Sequence, residues 1–252
     1  MSGKGKNAID MTGGSLWKNI LVFSLPLMMT QMLEVLFNLS DVAIAGKYAD
    51  YIALGAVGST ALLVSLFTGI LIGMGAGVNV RTAHQLGAEK TSGSSETVAR
   101  TVYSGLIVCL IIGIILCLVC NIFARPMLET LKTKDELIES AVLYLKIYAL
   151  GMPAMAVYNF GNGVLSACGE TKKPLVYLSI AGVLNVILNI FFVVVCKKAA
   201  DGVAIASVIA QYLSASMIMC HLLRRKDSCK LRLSNKYFDT SACGGVLMIG
   251  IP

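Results

Sequence analysis

The sequence predicts an all-α membrane protein built as a six-transmembrane-helix bundle, and three observations carry that prediction. Apolar residues make up 56% of the 252 residues and charged residues only 14%, against roughly 25% charged in an average soluble domain. A single globular core of this size cannot hide so many apolar side chains, so much of the surface faces something other than water; the mean hydropathy of +0.77 agrees. Six apolar runs reach the about 20 residues that a helix needs to cross the hydrocarbon core. They lack the strict alternation of barrel strands, and an unclosed sheet would leave backbone groups unpaired in lipid. This composition excludes a disordered chain, a disulfide-stapled secreted domain and, despite a formal charge of +7, a nucleic-acid partner.

The first run, Leu16 to Leu39, carries Gln31, Glu34, Asn38 and, just beyond it, Asp41. At 100° per residue these four fall within an arc of about 80°, so one face of the helix is polar and lines a cavity or packs on other helices. A charge at bilayer depth costs at least about 2.5–3.5 kcal/mol, so Glu34 and Asp41 need a reason to be there. Pro26 removes one backbone hydrogen bond and marks a hinge, as does Pro153 in the fourth run. The N-terminus is not a cleavable signal, because its first apolar stretch follows Asp10 and no small-residue cleavage site stands behind it.

The second run, Ile52 to Val80, contains Gly69 and Gly73 in the spacing that lets helices approach closely. Thr101 to Phe123 is the third run. The fourth, Ile138 to Val164, supplies Asn159 and Asn162, and the fifth, Pro174 to Cys196, supplies Asn185 and Asn189 four residues apart on one face. In the sixth, Gly202 to Leu223, Ser207 and Gln211 add neutral oxygens one turn apart. Buried amides of this kind either join helices or bind a ligand. Cys109, Cys117, Cys120, Cys196 and Cys220 lie in or beside apolar runs, where a thiol acts as a small hydrophobe; Cys117 and Cys120 form a CxxC without a second pair or a nearby His. His84 and His221 sit in or next to loops with no evident task. With no His or Cys beside a carboxylate, no catalytic constellation appears, and the chain is not expected to be an enzyme.

Loop charge gives orientation. The N-terminus, the second-to-third and fourth-to-fifth connections and the C-terminal segment hold 14 of the 21 Lys and Arg residues, among them Lys4, Lys6, Lys18, Lys90, Lys172, Arg225 and Lys236. The positive-inside rule therefore places both termini in the cytoplasm. Residues 1–223 form the six-helix lobe, 224–241 a basic cytoplasmic linker, and 242–252 the truncated start of a seventh membrane helix. The ending Val246 to Pro252 echoes Ile20 to Pro26, as an internal duplication would produce.

Several segments together resemble the multidrug and toxic compound extrusion (MATE) family. They are Pro26-Leu27-Met28-Met29-Thr30-Gln31 with Asn38-Leu39-Ser40-Asp41 and Gly46, then Gln85 to Lys90 after the second run, and Ala167 to Pro174 before the fifth. The resemblance covers nearly the whole chain. It implies one lobe of a 12-helix transporter whose two six-helix lobes are related by a pseudo-twofold axis, exporting organic cations or amphipathic drugs by proton or sodium antiport across the cytoplasmic membrane. It implies no cofactor, a missing C-terminal lobe or a second copy as partner besides membrane lipid, and no metal beyond a possible sodium ion at Asp41. The family's cation site maps onto Asp41, Asn185, Asn189 and Ser207, with Asn189 standing where an Asp is expected. Gln31, Glu34, Asn38, Asn159, Asn162 and Gln211 are the candidate substrate-cavity residues. A lipid-linked oligosaccharide flippase of the same superfamily would favour a cationic cavity, and an inactive half-transporter is a further reading. Helix geometry puts Glu34 about 10 Å from Asp41, too far to share one site directly.

Overall fold

A computed structural model describes residues 16–92 and 95–250, and among them every regular element is helical. Lys4 and Lys6, counted above for orientation, and Ile251 and Pro252 lie outside the described residues. Helices α1 (Leu16–Tyr48), α2 (Tyr51–Ser92) and α3 (Ser95–Thr130) are followed by α4 (Asp135–Ala149), α5 (Met152–Ala167), α6 (Lys172–Ile190) and α7 (Ala200–Arg224). A π-helical turn, Phe191–Val195, extends α6. After a 3₁₀ turn at Asn235–Tyr237, α8 spans Thr240–Gly250.

Among the described residues five helices are long and apolar enough to cross a membrane, and the pair α4 and α5 makes a sixth span bent by 45°. The chain is a multi-pass membrane protein. The first three helices run well past the apolar segments that announce them: at 1.5 Å per residue the 33 residues of α1 extend about 50 Å, beyond the roughly 30 Å hydrocarbon layer. Their ends stay helical, in α3 even through Pro126, past which the helix continues to Thr130.

The fourth run is two helices where one was expected. Pro153 has no N–H to give to the preceding turn, and the chain closes α4 with tighter bonds, from Leu150 N to Ile147 O at 3.0 Å and from Gly151 N to Tyr148 O at 3.0 Å, before α5 starts afresh with Pro153 in its first turn. By contrast α1 runs through Pro26 without interruption, and Thr30 Oγ1 donates to the Pro26 carbonyl at 2.9 Å.

Helix α2 is the hub, packing on α3, α4, α5 and α8, while α6 packs on α7 and α1, and α7 also contacts α4 and α5. Leu71, Met74, Val78, Leu145, Phe160 and Leu165 form the fully buried centre. The close-approach glycines are one turn later than the sequence spacing implied. Gly69 has open space where a side chain would go, whereas a Cβ on Gly73 or Gly77 would lie 2.6 Å from the carbonyl oxygens of Gly250 and Val246 on α8. The seam is therefore Gly73 and Gly77 against α8. The outer face of α1 stays bare, with Trp17, Leu21, Leu25, Met28 and Met32 each at least 60% exposed, as a lipid-facing or lobe-facing surface requires.

Candidate cation site and cavity

Asp41 sits near the end of α1 and is 4% exposed, with Asn185 (4%) and Asn189 (0%) from α6 and Ser207 (5%) from α7 around it. The bonding is directional. Ser207 Oγ donates its single proton to Asp41 Oδ2 at 2.7 Å, which leaves its lone pairs to accept from Asn185 Nδ2 at 3.1 Å. Asn189 Nδ2 has two protons and gives one to Asp41 Oδ1 at 2.6 Å and one to Asn185 Oδ1 at 3.2 Å. Three helices are thus joined through one carboxylate, whose two oxygens each accept a charge-assisted bond.

Asn189 turns its Nδ2 toward the carboxylate, because an ionised carboxylate takes only donors, and Asn185 turns its Nδ2 to Ser207, whose own proton is spent on Asp41. The displaced Asn189 Oδ1 is buried without a donor of its own. Rotating that amide about its last torsion would exchange N for O beside Asp41 and convert a donor into a cation ligand.

Beside this network lies a cavity of about 90 Å³, whose polar wall includes Glu34, Asn38, Asp41, Asn159, Gln211 and Ser214. Such a volume holds several waters or a small hydrated ion and falls below the roughly 300–1,000 Å³ of a drug-sized site. Glu34 and Asp41 line the same cavity, so the two turns of helix that separate them do not isolate Glu34 from the site. Among the described residues that line it, neither Lys, Arg nor His appears. Asn159 Nδ2 is spent on the Met155 carbonyl at 3.0 Å, and Gln211 Oε1 is buried without a donor.

Two of the candidate cavity residues are not in its wall. Gln31 is exposed on α1, and Asn162 lies one turn beyond Asn159, where its Oδ1 accepts from Ser166 at 3.4 Å. Sequence reasoning missed Phe37, Thr68, Tyr148 and Met155, which line the cavity. Phe37 and Tyr148 carry no polar-in-apolar signal, since aromatic residues fit a buried core equally well. Pro153 stands beside the 45° bend, two residues from Met155. His221, to which no task was given, faces Glu170 at 3.4 Å and Lys173 Nζ at 3.2 Å. Cys168 and Cys229 form a disulfide that spacing alone could not reveal. Among the described residues no group of three His, Cys, Asp or Glu is arranged to hold a metal ion.

Comparison with known proteins fits this architecture. The MatE family profile matches residues 26–191. A probable multidrug resistance protein, YpnP of Bacillus subtilis (strain 168), is 27% identical over 221 residues, covering 87% of this chain and 48% of that protein. Among solved structures, the outward-facing conformation of a multidrug resistance MATE family transporter superposes with a TM-score of 0.84 at 22% identity, over 99% of this chain and 54% of that one. A MOP superfamily transporter from Pyrococcus furiosus, described as having a binding pocket of reverse polarity, gives 0.85 at 21% identity over 99% and 54%. The chain spans about half the length of the curated relatives it matches. With the profile match over most of its length and one lobe's worth of the solved fold, the chain belongs to the MatE family of membrane transporters.

Proposed function

We propose that this chain is the N-terminal lobe of an exporter that moves organic cations or amphipathic drugs across the cytoplasmic membrane in exchange for protons or sodium ions, with both termini in the cytoplasm. The observation that carries the reading is the buried Asp41 carboxylate, held by Ser207 and Asn189 at the edge of a small cavity that Glu34 also lines. A carboxylate at that depth earns its place only if it binds and releases a positive charge. The cavity volume suits the coupling ion rather than the drug. The drug then sits where this lobe faces a second lobe, and the bare face of α1 offers part of that surface.

In this scheme 1–223 is the lobe, 224–241 the linker and 242–252 the start of the seventh helix, a reading supported by the close approach of Val246 and Gly250 to Gly73 and Gly77. Cation arrival at Asp41 displaces the Ser207 and Asn189 donors, and the Asn189 amide turns its oxygen inward. Those bonds tie α1 to α6 and α7, so their exchange couples ion binding to helix packing, the element that a rocking mechanism needs.

The flippase alternative calls for a basic cavity, and here the charged wall residues are both acidic. The test is accumulation of a panel of cationic dyes in an efflux-deficient host expressing the full-length protein. Lower accumulation of several dyes supports export; unchanged accumulation of every dye, with the protein present in the membrane, sinks it in favour of the flippase. Residues 1–252 alone are expected to be inactive in substrate counterflow unless two copies meet about a twofold axis, because one lobe cannot enclose a substrate.

A further inference from the structure

At the end of the bundle opposite Asp41 along α6, the chain folds back on itself. Helix α5 stops at Ala167, Gly169 takes a φ of 79° that an L side chain rarely adopts, and α6 begins at Lys172. Helix α7 stops at Arg224, after which a turn closed from Lys230 N to Asp227 O at 3.0 Å returns the chain toward α7, where Leu231 N donates to the Leu222 carbonyl at 3.2 Å. The turn buries Cys229 (2% exposed) against Cys168, to which it is disulfide-bonded across 61 residues of sequence.

A cluster of charge surrounds the bond. Glu170 Oε2 lies 3.2 Å from Arg225 Nη1, with both side chains 7% exposed, 3.2 Å from Lys173 Nζ and 3.4 Å from His221 Nε2. Arg225 also pairs with Asp227, and Ser228 Oγ donates to Glu89 on α2 at 2.6 Å. Burial works to raise the Glu170 carboxyl, but Arg225, Lys173 and His221 outweigh it and hold it below the ordinary glutamate value. The α5–α6 turn, the end of α2 and the segment after α7 are therefore tied together at one point, by one covalent bond and a set of polar contacts.

This end also carries Lys172, Lys173, Arg224, Arg225, Lys226 and Lys230, which the charge rule assigns to the cytoplasm. The cytosol keeps ordinary thiols reduced, so a disulfide there is an exchanging bond rather than a permanent staple. We propose that Cys168 and Cys229 form a thiol–disulfide exchange site that sets the freedom of the segment following α7. Cys168 is partly exposed and Cys229 is not, so a small thiolate reaches Cys168 Sγ. It forms a mixed disulfide there, and the S–S bond breaks with Cys229 leaving as a thiolate that takes up a proton. A second thiol then releases Cys168 as a free thiol, and the two small thiols leave joined as their own disulfide. Oxidation runs the same steps backward, with a low-molecular-weight disulfide as the oxidant. Resting on the two-lobe reading, the consequence is that oxidation shortens the free linker and slows the rocking of the lobes. Reduction leaves the polar contacts of Glu170, Arg225 and Ser228, the bond from Leu231 N to the Leu222 carbonyl and, further on, those of Asn235 and Asp239 to α3, without the covalent tie.

The test uses residues 1–252 in native membrane vesicles, equilibrated with reduced or oxidised glutathione. Differential alkylation is read by peptide mass spectrometry and tryptic cleavage at Lys226 and Lys230 is timed. The expected result is a linked pair in oxidised glutathione, free thiols in reduced glutathione, and several-fold faster cleavage in the reduced state. Cys168→Ser and Cys229→Ser should cleave at the reduced rate in both. A membrane-impermeant maleimide should label reduced Cys168 only in inside-out vesicles. Free thiols in both conditions, a bond that survives reduced glutathione, equal cleavage rates, or labelling only in right-side-out vesicles would each overturn the proposal. None of these readouts measures transport. A failure of the export reading would show instead as absent dye efflux in both redox states, with the alkylation pattern intact.

Discussion

Asn189 on α6 donates a 2.6 Å hydrogen bond to Asp41 Oδ1 on α1, and gives its other amide proton to Asn185. An ionised Asp at 189, which the family resemblance led us to expect, could donate neither. The amide therefore lets an ionised Asp41 rest with both oxygens satisfied by neutral donors, whereas paired carboxylates would demand a positive charge between them. Asn189 changes what Asp41 needs around it, not only how many charges the site counts.

Asn189→Asp should make that demand visible. Thermal stability of the chain in detergent is expected to become dependent on sodium or on acidification, because the second carboxylate repels Asp41 until a cation or a proton intervenes. In the full-length protein the pH or sodium dependence of dye export should shift. A melting temperature that responds to sodium and pH as in wild type would count against this account.

Asp41→Asn should abolish ion-driven export in the full-length protein while the protein still inserts, since the amide keeps the shape but neither binds nor releases a proton. Ser207→Ala is the companion: it removes one donor from a buried carboxylate and strands Asn185 Nδ2, an effect of about 1.5–3 kcal/mol on stability. Export by Asp41→Asn at the wild-type rate with wild-type pH dependence would move attention to Glu34 or to the second lobe.

How much of this was legible in the sequence depended on whether the signal was polar. Asp41, Asn185 and Ser207 stand out because polar atoms in an apolar run have to be explained, and the structure joins them by hydrogen bonds. Gln31 gave the same signal yet is exposed, since an arc of 80° is wider than the cavity mouth and helical phase alone does not say which edge faces inward. Phe37 and Tyr148 were invisible because an aromatic side chain reads as core. The break between α4 and α5 was half legible: Pro153 was noted, but apolar length counts one span and does not show that two helices bent by 45° make it. The Glu170 cluster went unread because charge in a loop usually means solvent, and only tertiary structure buries Arg225 against it.

Glu34 shares the cavity with Asp41 but belongs to none of the hydrogen bonds that hold Asp41 in place. Glu34→Gln is therefore expected to leave the Asp41 bonds and ion coupling intact; because the drug sits outside this small cavity, the lost charge acts on it only through the field, and divalent organic cations lose more than monovalent ones. Competition between a monocationic and a dicationic dye in the full-length protein measures this. Equal loss for both would place Glu34 in the coupling step instead.

Gly182 on α6 faces Phe37 of α1 so closely that a Cβ at this position would overlap the Phe37 ring. Phe37 is one turn from Asp41, so Gly182→Ala should push α1 away and lengthen the Asp41 bonds to Ser207 and Asn189. Overpacking of this kind costs about 1–3 kcal/mol. Thermal unfolding should show that loss, and Phe37→Leu should restore part of it. Failure of the second change to rescue would mean that the strain is relieved elsewhere.

The Glu170–Arg225 pair predicts a pH effect with a definite sign. The folded-state value of Glu170 lies below its ordinary one, because burial is outweighed by Arg225, Lys173 and His221. Stability from this group is therefore complete above the ordinary glutamate value, near pH 4.3, and is lost as pH falls through the lower folded value. Arg225→Ala removes the more buried of the two permanent cations and leaves a desolvated carboxylate, a change of about 3–5 kcal/mol for a buried pair, toward the lower end here since Lys173 remains and His221 adds charge whenever it is protonated. Protonating Glu170 relieves the variant but not the wild type. The gap in melting temperature between them should thus be widest near neutral pH and narrow steadily under acid, and Arg225→Ala combined with Glu170→Gln should recover much of the loss at pH 7. A gap that stays constant from neutral to acid pH would mean that Arg225 acts through packing or through Asp227, and not through the charge on Glu170.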